Sequence, residues 1–399
     1  MEYIYFDYAS TTPTDPRVIE VMQPYFYTQF GNPVSPHAFG REAQKAMEDA
    51  RQSVARSIGA EPEGIIFNSG ATEGNNHALF GIARACKDKG RPACPAGRHI
   101  IISAIEHHSL EAPAEYLARE GYKITYLPVS REGLVDPRQV QDAITDETIL
   151  IAVMHANNEI GTIEPVAEVG KIARAKGIPF LVDAVQTVGH IPVNVDALGA
   201  DLLTMSAHKF YGPKGVGALY ARRGRKIKIA SFLLGGDQEK GRRASTQNVA
   251  GAVGLAKALE LCLENMPQEM ATQTRLRDQL LTGIPKRITG VVLNGHCTSR
   301  LPNNAHFTFL GVSGEDLIIK LDENGVAAST GSACSVQKQK ASHVLKAMNM
   351  NHEEITGSLR LTLGIQNTAD EIRAASGILS KVVGELRKVS PYGVKYLVQ

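Results

Sequence analysis

Excess charge of one sign, paired cysteines and long apolar runs are all missing from this chain of 399 residues. Its 43 Lys and Arg stand against 41 Asp and Glu, a formal net charge of +2, so neither nucleic acid nor an acidic membrane is an expected partner. The short basic run "RRGRKIK" (222–228) reads as a solvated strand end. Five cysteines, Cys86, Cys94, Cys262, Cys297 and Cys334, are scattered without C-x-x-C spacing. That argues against a disulfide framework or zinc knuckle, and no metal site is expected. No apolar run approaches the roughly 20 residues of a membrane span. The opening "MEYIYFDYAS" lacks the basic start and apolar core of a secretion signal, so a cytoplasmic protein is expected. Internal repeats and low-complexity tracts are absent, and the Gly/Pro-rich "CKDKGRPACPAG" (86–97) reads as a surface loop.

What the chain does have is enough apolar material, 43% of its residues, for more than one domain. "REAQKAMEDARQSVARSI" spaces Ala43, Ala46, Met47, Ala50, Val54 and Ile58 as one helical face. Strand-like runs then recur: "GIIFNS", "HIIISAIE", "YKITYLPV", "TILIAVMHA", "IPFLVDAV", "ADLLTMSAH" and "GVGALYAR". Several are apolar almost throughout, which predicts a mainly parallel seven-stranded sheet covered by helices on both faces. After about residue 250 the texture changes to a long helical stretch, "GAVGLAKALELCLENM", then shorter strands ("NAHFTFL", "SLRLTL") and a helix at 370–387. The pattern predicts a large α/β domain over 14–260 and a smaller α+β domain formed by 1–13 and 261–399.

Useful side chains in open α/β sheets gather at the C-terminal ends of strands. "NSGATEGNN" (68–76) follows a strand and opens a helix, presenting backbone N–H groups and the Thr72 hydroxyl to an anion. A capped helix start with Glu73 in its first turn explains the same letters. "SAIEHHSL" and "VMHANNEIG" end successive strands in polar clusters that include His107, His155, Asn157 and Asn158. "FLVDAVQTVG" puts Asp183 after an apolar run, and "TMSAHKFYGPKGVG" puts His208 and Lys209 after the next. A lysine there is either one reaching solvent from a turn or one whose amine, made nucleophilic by desolvation, forms a Schiff base. Anion cradle, buried aspartate and buried lysine together match what pyridoxal 5'-phosphate requires: a phosphate site, a partner for the pyridine nitrogen and an amine for the aldehyde.

The motifs "FDYASTTP", "FGNPVSPHAFG", "SGATEGNN", "HANNEIG", "VDAVQTVG", "SAHKFYGPKGVGALY" and "STGSACS" occur in order between residues 6 and 335, within a resemblance that runs from residue 4 to about 375. In these the chain resembles the cysteine desulfurases, homodimeric fold-type I pyridoxal-phosphate enzymes. The resemblance implies Lys209 as the Schiff-base lysine, Asp183 on the pyridine nitrogen, Gln186 on the ring hydroxyl, and His107 stacked on the ring and assisting proton transfer. It implies cofactor contacts from Asn158, and phosphate contacts from Ala71, Thr72, Ser206 and His208, with Thr246 supplied by the other subunit. Arg360, with Asn157, would bind the substrate, and Cys334 would be the nucleophile that takes sulfur from L-cysteine as a persulfide, leaving L-alanine. The sulfur would pass to an acceptor protein, an iron–sulfur scaffold or a thiolation protein. Selenocysteine lyase, and an aminotransferase or β-eliminating lyase that would not need Cys334, are the alternative activities. The chain departs from the family in Ser245 before Thr246, in Ile365, and in the basic "QKQKA" that follows the cysteine.

Overall fold

The computed structural model describes residues 3–87, 97–223, 227–330, 341–391 and 393–396, beginning with a two-residue strand, β1 (Ile4–Tyr5). Strands β2 (Ile65–Asn68), β3 (His99–Ser103), β4 (Lys123–Leu127), β5 (Thr148–Ala152), β6 (Phe180–Asp183), β7 (Leu202–Ser206) and β8 (Gly217–Ala221) build a seven-stranded sheet in the order β2-β8-β7-β6-β5-β3-β4. Pairing from β4 through β7 is parallel, and β8 runs antiparallel to β7 and β2. Every residue of β2, β3 and β5 to β8 is buried, as strands covered on both faces must be. Only β4, at the edge, exposes Lys123 and Tyr126. The helix Ala38–Ser57 buries Ala43, Met47, Ala50 and Val54, the face its spacing predicts.

The helix Val249–Arg287 is 39 residues long, about 58 Å at 1.5 Å per residue. Its first half packs Leu255 and Leu259 into the core under the large sheet, and its second half packs Leu276, Leu280 and Ile284 into a separate core. Pro267 has no N–H to donate to the preceding turn and on local grounds ends the helix. Burial at both ends carries the helix past it, well beyond the stretch legible in the sequence. Strands β9 (Val291–Leu293), β10 (Asn304–Phe309), β11 (Val326–Ala327) and β12 (Ser358–Thr362) follow, with β10 antiparallel to both β9 and β12. The chain's beginning joins this second core: β1 pairs in parallel with β11, and Ile4 and Phe6 are buried there. Val344, Leu345, Met348 and Ile355, late in the sequence, pack on the larger core instead.

One local expectation is corrected. Arg222 is no solvated strand end: its guanidinium donates to the Ala200 carbonyl at 2.8 Å and to Asp196 at 2.6 Å. The Val195 and Ala200 carbonyls, ahead of β7, and the neighbouring Asp196 hold the side chain down. No helix among the described residues is long and apolar enough to cross a membrane.

Candidate active site

A cavity of ≈ 570 Å³ lies where the segments following β2, β3, β5, β6 and β7 meet. Parallel strands place their C-terminal ends on one side of a sheet, so residues remote in sequence converge there. Lys209, from a single 3-10 turn after β7, donates its amine to the carbonyls of Ala9 at 2.6 Å and Ser10 at 2.8 Å. Asp183 ends β6; its Oδ1 accepts from the Val185 N–H at 3.0 Å and its Oδ2 from Asn75 Nδ2 at 2.8 Å. Gln186 Nε2 donates to the Ala9 carbonyl at 3.1 Å.

β3 stops at Ser103, so the two histidines begin the next helix rather than ending the strand. His107 caps that helix: its Nδ1 accepts from the Ser109 N–H at 3.1 Å, which puts the proton of the neutral ring on Nε2. Burial holds the His107 pKa below the ordinary histidine value, against the pull of Asp183 and with the help of Lys209. His208 is driven down to about 4 by burial, with Lys209 and Lys214 adding to the effect.

The helix Ala71–Lys87 opens directly onto the cavity. Its first N–H groups have no acceptor within the helix, and the dipole favours an anion there. Gly70, at φ +145°, makes the turn from β2, and a Cβ on it would stand 3.4 Å from Ser206 Oγ. The missing side chain keeps the space before Ser206 open. Thr72, Ser206, His208 and Lys214 line the same region. Hydroxyls, free N–H groups and cations suit a phosphate, a carboxylate beneath suits a protonated pyridine, and a lysine amine suits an aldehyde. The donor set therefore fits pyridoxal phosphate, with the phosphate at the helix terminus.

Arg360 on β12 reaches the cavity from the other core, its guanidinium donating to Asp7 at 2.7 Å, Ser10 Oγ at 2.8 Å and the Asn158 carbonyl at 3.0 Å. Ala71 and Asn158 line the cavity as well. Asn157 does not. It is buried, with Nδ2 donating to the Ile105 carbonyl at 3.0 Å and Oδ1 accepting the N–H groups of Glu159 at 2.9 Å and Ile160 at 3.1 Å. Its amide is spent on the turn that presents Asn158, which corrects its reading as a substrate ligand. Thr246 is exposed and outside the cavity lining, on a segment tied to the cradle by Arg243 Nε donating to Glu73 at 2.8 Å.

Cys334 and the "QKQK" after it (337–340) lie outside the described residues, and Ala341 is the first described residue beyond them. The chain on either side is anchored at the cavity. Before it, Ser329 pairs with Arg360, whose N–H donates to the Ser329 carbonyl at 2.6 Å. After it, Ser342 Oγ donates to Glu159 at 2.6 Å and His343 Nε2 to the Glu106 carbonyl at 2.8 Å. Burial raises both acids, Glu106 to about 8, while the Ser342 bond opposes the rise at Glu159.

Sequence reading passed over Asn75, Asp7, Ser10 and His343. Asn75 had a signal: it stands four residues after Ala71, on the same helix face. Asp7 and Ser10 stand in "FDYASTTP", but no local signal ties them to Arg360, because only the return of the first strand to β12 brings them there.

Comparison with known proteins gives a consistent result. The family model for class-V aminotransferases matches residues 4–374. The cysteine desulfurase IscS of Dictyoglomus turgidum is 51% identical over 389 residues, 98% of this chain and 96% of that protein. A solved NifS-like protein superposes with a TM-score of 0.89 at 35% identity, covering 96% of this chain and all of that one. A structure described as SspA in complex with cysteine has a TM-score of 0.79 at 34% identity, over 90% of this chain and 98% of that one.

Proposed function

The chain belongs to the class-V aminotransferase family and is a pyridoxal-phosphate-dependent cysteine desulfurase, and from that premise we propose how its residues divide the work. The observation that carries the assignment is the meeting of Lys209, Asp183 and the glycine-opened helix terminus around one cavity. Pyridoxal phosphate, when bound, supplies an electron sink next to the substrate Cα. Lys209 would hold the cofactor through its amine, Asp183 its ring nitrogen and Gln186 its ring hydroxyl. Ala71, Thr72, Ser206 and His208 would hold its phosphate, and Asn158 would add a further contact.

Arg360 would bind the carboxylate of L-cysteine with the planar two-point donation that guanidinium offers. The Lys209 amine, once free, would take the Cα proton. His107, neutral and with its proton on Nε2, would pass protons at the ring face. Cys334 as thiolate would then attack the substrate sulfur. The Cβ–S bond of cysteine breaks, an S–S bond forms on Cys334, and a proton goes to Cβ. Cysteine and one enzyme thiol thus become alanine and one enzyme persulfide, and the persulfide sulfur passes to an acceptor protein such as an iron–sulfur scaffold or a thiolation protein. Anchoring of the flanking residues at Arg360 and His343 supports Cys334 as the nucleophile.

The partner we propose for stability is a second copy of the chain. Phe26, Tyr27, Phe30, Val34 and Phe39 are each more than half exposed, a concentration of apolar surface that supports an interface. Thr246 would serve the phosphate of the partner subunit. The division into a cofactor-holding unit (14–260) and a smaller unit (1–13 and 261–399) belongs to the same proposal, supported by the separate core that gathers Ile4 and Phe6 with Leu276, Phe307 and Leu361, while Val344, Leu345, Met348 and Ile355 cross back to the larger core.

The test is to incubate the holoenzyme with L-cysteine, quantify alanine and locate added sulfur by mass spectrometry. Alanine with one extra sulfur on Cys334, both lost in Cys334→Ser, is the expected result. Full sulfide release by Cys334→Ser overturns the assignment of Cys334.

A further inference from the structure

At the mouth of the same cavity, three side chains unused by the proposed reaction face one another. His108, the first residue of the helix His108–Arg119, Glu111 one turn along it, and His343 each bring a ligand-type atom within 4.8 Å of the others. Two of them line the cavity wall, His108 and His343, with ring centroids 4.8 Å apart. His343 Nε2 lies 2.8 Å from the Glu106 carbonyl. A carbonyl only accepts, so Nε2 donates and Nδ1 keeps its lone pair. A backbone carbonyl fixing the far nitrogen is the support that metal-binding imidazoles usually have. His108 Nδ1 is 2.7 Å from Glu111 Oε2, so imidazole and carboxylate are already in register. The side chains of His108 and Glu111 are 48% and 26% exposed, free to turn inward.

We propose that His108, Glu111 and His343 bind one divalent transition ion of the zinc type at the cavity mouth. Two imidazoles and a carboxylate are a donor set that suits zinc, cobalt or nickel and leaves coordination positions open. Ligand distances of about 2.0–2.2 Å require the three atoms to close up from their present span, which rotation of His108 and Glu111 supplies. The positive end of the helix and the nearby Lys209 and Arg360 oppose a cation, and Glu111 offsets them in part. Binding is therefore weaker than at a structural zinc site and reversible. The open positions would capture a cysteine thiolate entering the cavity, so the ion acts as a brake on the desulfurase. This consequence rests on the proposed function, whereas the site itself does not.

The experiment is equilibrium dialysis of chelator-treated holoenzyme against Co²⁺, with metal analysis and visible spectroscopy, beside zinc inhibition of cysteine turnover. The expected result is a Co²⁺ ion per chain with a nitrogen–oxygen spectrum, weakened at least tenfold in both Glu111→Gln and His108→Ala. The zinc concentration for half inhibition should rise by the same factor in Glu111→Gln. Unchanged binding in both variants, or a thiolate-to-cobalt charge-transfer band, overturns the site. Binding is read without turnover, so an inactive metal-free holoenzyme would count against the proposed function and not against the site.

Discussion

Asn75→Ala removes a side chain that joins three elements beneath the cavity. Asn75 is buried, donates to Asp183 Oδ2 and Ser109 Oγ, each at 2.8 Å, and accepts from Thr204 Oγ1 at 2.8 Å. A hydrogen bond to a charged group contributes about 1.5–3 kcal/mol and a neutral one about 0.5–1.5. The three together amount to about 2.5–6 kcal/mol, a large part of a typical stability of about 5–15. Water cannot replace them, because Thr204 is buried as well. Urea unfolding of the cofactor-free protein should show the unfolding free energy falling by that amount, through a lower midpoint at unchanged slope. Cofactor affinity should fall too, since Asp183 loses the donor that aims its carboxylate. Thr204→Val supplies the second arm of a double-mutant cycle. It should cost about 1 kcal/mol alone and almost nothing in the Asn75→Ala background. A stability loss below about 1 kcal/mol for Asn75→Ala, or strictly additive costs, would refute the network.

Burial lifts the Glu164 carboxyl from 4.5 to about 8, so the folded protein binds that proton more tightly than the unfolded chain. Its contribution is full below pH 4.5 and is lost as pH rises through 8. Glu164→Gln should therefore gain on the wild type by about 3–5 kcal/mol between pH 5 and 9, measured by urea midpoints; a gain in the opposite direction excludes a buried neutral acid. Arg51 and Glu239 form a bidentate pair at 2.7 and 2.9 Å with almost no exposure. Arg51→Ala should cost about 3–5 kcal/mol by leaving Glu239 buried and unpaired, and calorimetry would detect it. Arg360→Lys should raise KM for cysteine by roughly 30- to 150-fold, the loss of about 2–3 kcal/mol of charge-assisted binding. An unchanged KM in steady-state alanine assays removes Arg360 from the substrate site.

The large sheet was legible because its strands are buried on both faces, and burial of that kind writes continuous apolar runs into a sequence. Lys209, Asp183 and Thr72 were legible because strand ends and a glycine at a helix start have local signatures. Asn157 misled for the same local reason: it stands beside Asn158 in "HANNEIG", and only packing decides which of the two amides closes the turn and which residue faces the cavity. The helix Val249–Arg287 runs well past the stretch legible in the sequence, since burial in two cores outweighs the hydrogen bonds missing at Pro267 and Pro285.

By itself the sequence determined the residue types the chemistry needs and the order of the elements that carry them. Tertiary structure decided which of those residues share a cavity. Asp7 meets Arg360 across 353 positions and Ser342 meets Glu159 across 183. Such contacts follow from strand pairing and side-chain burial summed over the whole chain, and no local stretch of sequence carries that sum.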